Sequence, residues 1–331
     1  MTDAADWPQA NDAFLSAALA WLRLRLERLA AWEQPASSPV APPPPAASPQ
    51  TASFRERFLR RSPAETASPV LALPPASEAV TEAQIADAAK AMAAAAAIDP
   101  PPALVLLAQR FGLSSFERDL LLLCAAMELH TRIAPLCARA QDDPSRPYPT
   151  FALALTLFDD PAWDVLSPER PLRHWRFLEI NQPGAQPLVT SALRADERIV
   201  NFIKDLLYLD DRLTPLMTPV EPPGGEADLP PSQAEVVRQI HQRLEAAEPG
   251  RRPPVFQLVG ADAPSKRLVA WHAASALGLR LFRLPVELLP TQVADLETLA
   301  RLTQRESALS PFALYLDAQE VERTAPAEGG A

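Results

Sequence analysis

The sequence predicts a chain of mixed class: a mostly helical domain that closes on a β-hairpin, then a partial α/β layer with a parallel sheet. Three observations carry this. Apolar residues recur at helical spacing through residues 11–32 and 81–158. A Pro183-Gly184 turn between two β-type runs breaks that pattern. The order strand–helix–strand–helix–strand is legible over residues 255–317.

Four regions follow along the 331 residues. Residues 1–32 hold an amphipathic helix from about Asn11 to Trp32. Leu15, Leu19, Leu22, Leu26 and Leu29 form its stripe, which packs either on a partner or on the rest of the chain. Residues 33–79 contain Pro42-Pro43-Pro44-Pro45 and are expected to be an extended, disordered tether. An arginine-bearing island, Ser53–Arg61, interrupts it.

Residues 80–217 are expected to form a compact domain. Thr81-Glu82-Ala83-Gln84 fits a capping box and opens a helix to Ile98. Pro100-Pro101-Pro102 ends it, and Leu104–Phe111 is the next helix. Gly112-Leu113 is a tight turn before a second capping box, Ser114-Ser115-Phe116-Glu117, and a helix through Met127. Thr131–Gln141 and Thr150–Phe158 supply further helices. Arg173–Ile180 alternates like a strand, Pro187-Leu188-Val189-Thr190 is its expected partner, and a helix over Ala195–Leu207 closes the unit. Helices followed by a hairpin describe a winged helix.

Residues 218–331 are expected to be an incomplete α/β domain. Pro222-Pro223-Gly224-Gly225 reads as a linker, and Ser232-Gln233-Ala234-Glu235 as the cap of a helix to Ala247. Val255–Val259, Leu279–Leu284 and Phe312–Asp317 are the three expected strands. Helices to Leu277 and over Thr291–Ala308 separate them.

Composition narrows the function. Acidic residues outnumber basic ones, 41 to 31, for a net charge of −10. Such a chain is a poor partner for nucleic acid or anionic membranes. The helix Thr150–Phe158, placed where a recognition helix would stand, has no Arg, Lys, Asn or Gln for base edges. Arg170, Arg173 and Arg176 near the wing lie beside acids. The 38 prolines and 9 glycines compare with about 17 and 23 at average usage, leaving little for glycine-rich cradles. Cys124 and Cys137 form no disulfide framework, and Cys124 reads as a buried thiol. With His130, Cys137 and Cys124 lacks zinc spacing, and His174, His241 and His272 are scattered, so no metal site is expected. No apolar run of roughly 18–20 residues and no signal-like start is present, which suggests a cytoplasmic protein.

One segment invites a chemical reading. Gly260-Ala261-Asp262-Ala263-Pro264-Ser265-Lys266-Arg267 keeps the first Gly and the Lys of a phosphate-binding loop. Ser265 replaces the second Gly, Arg267 replaces the Mg²⁺-ligating hydroxyl, Pro264 removes an amide, and Asp262 adds negative charge. Leu314-Tyr315-Leu316-Asp317 resembles the Mg²⁺-holding strand of such enzymes, but Ala318 stands where many carry a glutamate. Gly260, Lys266, Arg267 and Asp317 are therefore candidate nucleotide-binding residues of a degenerate site. No catalytic residue is assigned.

The runs Arg110–Leu129, Asp143–Phe151 and Leu193–Ile199 resemble the winged-helix region of bacterial AAA-family ATPases associated with phage-tail-like contractile injection systems. The likeness covers about Asn11 to Asp317 and is strongest over Arg110–Leu209. It implies an N-terminal helix, a winged helix and a degenerate first ATPase module, with an intact second module in a longer protein. It implies a hexameric ATPase, using ATP and Mg²⁺, that assembles or disassembles contractile particles, with this chain as its regulatory, adaptor portion. Protein partners then replace membrane or nucleic acid. Two alternatives stay open: a weak ATP-binding module in its own right, and a winged-helix DNA-binding regulator.

Overall fold

A computed structural model describes residues 6–32, 80–221, 229–247 and 253–319. The tether expected over residues 33–79, its island at 53–61 and the linker at 222–225 lie outside them.

The first helix, α1, spans Trp7–Trp32. Phe14, Leu15, Ala18, Trp21, Leu22, Leu26 and Ala30 are buried, and Leu19 and Leu29 partly so. The stripe packs on the chain itself, against α2 (Glu82–Ala96), α4 (Ser115–Leu129), α5 (Ile133–Ala140) and α6 (Phe151–Leu157). Its start is pinned by Asn11. The Asn11 side-chain amide donates to Ile203 O (3.0 Å), and its oxygen accepts from Ala103 N (2.9 Å). Ala103 opens α3 (Ala103–Phe111), so one buried amide joins three elements.

Both expected capping boxes are present, at Thr81/Gln84 and Ser114/Glu117. Gly112, at φ 66°, supplies the left-handed residue that turns α3 into α4. Glu117 does more than cap. Fully buried, it also accepts two hydrogen bonds from Arg170 (3.2 and 2.9 Å). That ties the start of α4 to α7 (Pro171–His174).

The hairpin is shifted from its expected place. Pro171 starts the short α7, which absorbs Arg173 and His174. The first strand, β1, is only Leu178–Asn181. Its antiparallel partner is β2, Ala192–Ala195, not Pro187–Thr190. Residues Leu188–Thr190 instead form a 3-10 turn, held by Gln186 Nε2 to Thr190 O (2.8 Å) and Ser191 Oγ to Pro187 O (2.9 Å). The following helix, α8, covers Glu197–Ile203 rather than Ala195–Leu207. It stops because Asp205 adopts a left-handed conformation, φ 63°. The Leu206 and Asp205 amides then close onto Asn201 O and Phe202 O, a Schellman motif.

Beyond α8 lies a three-stranded mixed sheet. Strand β3 (Thr218–Pro219) pairs antiparallel with β4 (Arg280–Pro285), which pairs parallel with β5 (Phe312–Asp317). Helices α9 (Pro231–Glu245), α10 (Ala263–Ser275) and α11 (Val293–Leu309) complete the segment. Only two of the three expected parallel strands form. Residues 253–259 are irregular: Phe256 and Leu258 pack near Ile240, Val269 and Ala273, but Val255 and Val259 stay 97% and 84% exposed. Half of the alternating side chains find apolar cover, and Pro253-Pro254 removes two amide donors, so no ladder is built here. Helix α9 also departs from its expected cap. It begins at Pro231 without a side-chain cap.

Cys124 and Cys137 are both buried free thiols. Burial, with Cys137 nearby, pushes the Cys124 thiol well up, and burial raises Cys137 to about 12. No helix among the described residues is long and apolar enough to cross a membrane.

Asn11→Ala leaves the Ala103 N–H and the Ile203 carbonyl buried without their partner. Urea denaturation should show a loss of about 1–3 kcal/mol; an unchanged midpoint would mean that these groups are satisfied otherwise.

Candidate functional site

The loop before α10 has the shape of an anion site, with the Ser265 and Lys266 amides already engaged. Gly260 sits at φ 152°, where a side chain would be strained, so the backbone alone calls for glycine. Asp262 is the N-cap, and its carboxylate accepts from Ser265 N (3.2 Å). Pro264, in the first turn, has no amide to offer. Lys266 N bonds to Asp262 O (3.3 Å). Ser265 Oγ accepts from Gln233 Nε2 of α9 (3.0 Å). A helix N-terminus attracts anions because its first amides are unpaired and its dipole is positive. Here a resident carboxylate takes that role.

Asp317 ends β5 and is buried. Its carboxylate accepts from Arg283 Nε (2.7 Å) and from Gln319 N (3.3 Å). Burial pushes its pKa up. The Arg283 hydrogen bond, the Gln319 amide and the charges of Arg283 and Arg267 outweigh it and hold the group below the ordinary aspartate value. A guanidinium thus stands where a metal-binding strand would present its acid to Mg²⁺. Gln319 Nε2 reaches Ala261 O (3.5 Å), bringing the end of β5 to the loop. Arg267 lines an open groove of about 340 Å³ with Pro264, Trp271, Arg283 and Glu221. The structure therefore gathers Gly260, Lys266, Arg267 and Asp317 around one loop, with internal partners at Asp262, Ser265 and Asp317. Among the described residues no group of three or more His, Cys, Asp or Glu is placed to hold a metal ion.

The helix placed where a recognition helix would stand is an interior one. Phe151, Leu153, Ala154 and Leu157 of α6 are buried. Its cap, Thr150, is buried and bonded to Leu153 N (3.0 Å) and Gln141 Oε1 (2.8 Å). The arginines near the hairpin have partners within the chain, although Arg176 and Arg194 are exposed. Arg170 pairs with Glu117 and Asp164, Arg173 bonds to Leu166 O, and Arg176 reaches Thr298 Oγ1 (3.4 Å). Arg194, on β2, faces Glu128 at 3.5 Å.

A family model described as "Winged helix domain, variant" matches residues 10–217. The chain belongs to this family. The match begins inside α1, in keeping with the burial of that helix among the others. No curated protein and no solved structure matches the chain.

The winged-helix domain also holds a feature that sequence reasoning missed: a buried ionic cluster against α11. Arg198 Nε bonds to Glu306 Oε2 (3.0 Å). Arg305 pairs with Asp210, lies 3.4 Å from Asp196 Oδ1, and donates to the Arg176 carbonyl (3.1 Å). Arg212 bonds to Asp196 (2.8 Å) and Asp210 (2.6 Å). Three cations face three carboxylates, so the cluster is neutral. The signal was in α11: Leu299, Leu302 and Leu309 are buried at helical spacing, and Glu306 falls on the same stripe.

Burial pushes Asp210 up, but the Arg212 hydrogen bonds and the charges of Arg305 and Arg212 bring it down to about 2. Burial wins at Glu306, which is raised despite Arg198 and Arg305. It also wins at Arg305, which is lowered. A depressed aspartate stabilises the fold above its unfolded pKa, about 3.9, and that contribution disappears as pH falls through the folded value, about 2. Asp210→Asn should therefore destabilise the protein at pH 7 by on the order of 2 kcal/mol. The gap from wild type should close between about pH 4 and pH 2. Denaturation midpoints across this range check it; a pH-independent gap would contradict the assignment.

Proposed function

We propose that this chain is the regulatory, adaptor portion of an AAA-family ATPase of the kind that serves contractile injection particles, acting through protein contacts. The observation that carries the non-catalytic part of this reading is the loop before α10. Its N-terminal donor is taken by Asp262, and its would-be metal ligand, Asp317, by Arg283. ATP and Mg²⁺ binding, hydrolysis and hexamer formation then belong to a longer protein with an intact second module. The winged-helix domain serves as a scaffold for protein partners. The likeness of Arg110–Leu129, Asp143–Phe151 and Leu193–Ile199 to that family lies inside the matched winged-helix region. The parallel β4–α11–β5 unit is compatible with a reduced ATPase sheet.

Family membership alone leaves a DNA-binding regulator as the second reading. It is disfavoured by the buried α6, the internally paired arginines and the net charge of −10.

Titrating the purified chain with Mg·ATP by calorimetry should give no binding at millimolar nucleotide. Magnesium-dependent binding that is lost in Lys266→Ala would restore a competent site. Fluorescence anisotropy with duplex DNA in low salt, where phosphate contacts are strongest, should likewise stay flat. A salt-sensitive rise would favour the DNA reading.

A further inference from the structure

Helix α11 belongs to two cores at once. In its middle, Leu299 and Leu302 pack with Phe282 and Leu284 of β4 and with Leu213 and Met217. Near its end, Leu309 is buried in the winged-helix core and Ala308 packs against it. Arg305 and Glu306, between these contacts, enter the ionic cluster with Asp196, Arg198 and Asp210. Arg110, from α3, donates to the Ala308 and Leu309 carbonyls (2.8 and 3.1 Å). This satisfies the last orphan acceptors of α11 from the winged-helix side. Arg176 adds a contact to Thr298. Strand β5 begins three residues after α11 ends, so the sheet has little slack relative to this helix.

We infer that α11 is a clasp that joins the winged-helix domain and the β3–β4–β5 sheet into one cooperative unit, so that a displacement at the sheet reaches the winged helix instead of being absorbed at a hinge. Parting the two sides would wet the charged groups of the cluster, expose Leu309 and free the α11 carbonyls together. None of these contacts opens alone, because neighbouring residues of one rigid helix make them all. The end of β5 bears Asp317 and adjoins the loop before α10, so whatever engages that region pulls on the same helix.

Hydrogen exchange read by mass spectrometry on the full 331-residue chain tests this. Leu302→Ala removes a side chain that packs only in the sheet-side core. Amides of β4 should exchange faster by roughly 30-fold or more, the range of a Leu→Ala cavity. Amides of α3 and α8, whose buried apolar residues belong to the winged-helix core, should accelerate by the same factor. If β4 and β5 accelerate while α3 and α8 keep wild-type rates, the two parts open independently and the inference fails. Glu306→Ala, which leaves Arg198 buried without its carboxylate, should accelerate both sides together by about 100-fold or more. Acceleration on one side only would again count against the clasp. The double variant Arg198→Met with Glu306→Leu replaces the pair by apolar contact and should return both sides toward wild type in step. Recovery of one side without the other would overturn the proposal even if the single variants fail to fold.

Discussion

Arg305 is a guanidinium with no solvent exposure, and much of the architecture follows from having to accommodate it. A charge so placed needs opposite charge and hydrogen-bond acceptors in good geometry, because its desolvation is severe. Asp196 and Asp210 supply the charge, Asp210 and the Arg176 carbonyl accept hydrogen bonds, and the Arg305 Nε is left without a partner. Asp196 lies between β2 and α8, Asp210 beyond α8, and Arg176 just after α7. One side chain of α11 thereby fixes where three separate segments of the winged-helix domain must converge. A buried ionic cluster adds little net stability over well-packed apolar residues. It does penalise any arrangement that leaves a member unpaired. Here that discrimination sets how the helix sits on its neighbours.

The same economy of charge runs through the chain. Asp262 holds an amide at the start of α10, Arg283 holds Asp317, Arg170 holds Glu117, and Arg25 holds Asp159 at 2.7 Å. Groups that in another setting would meet phosphate, metal or nucleic acid are paired within the chain. With only three lysines in the sequence, planar guanidinium forks dominate this pairing, which suits them to bidentate contact with carboxylates.

Local chemistry was the legible part of the sequence. Thr81/Gln84 and Ser114/Glu117 announce helix starts by a mechanism that needs only neighbours, and both act as expected. Gly112 and the limits of β5 are equally local. Strand pairing was less legible because partners are chosen by tertiary context. Pro187–Thr190 has strand-like residues, yet the loop curls into a 3-10 turn and Ala192–Ala195 takes the ladder. Val255–Val259 reads as a buried strand from its composition, but among the described residues nothing covers Val255 and Val259. Of the candidate site, the spacing of Gly260 and Lys266 was visible. The pairing of Arg283 with Asp317, thirty-four residues apart, was not. Arg305 and Glu306 were hidden for a similar reason: charged residues on an apolar stripe look like its end until their distant partners are known.

The two cysteines give the molecule a built-in chemical clock. Both sulfurs are enclosed by apolar helices and strongly disfavour the thiolate, the form that attacks alkylating reagents. An intact molecule should therefore react slowly with such reagents, and each modification event records a moment when the packing around α4 or α5 has opened.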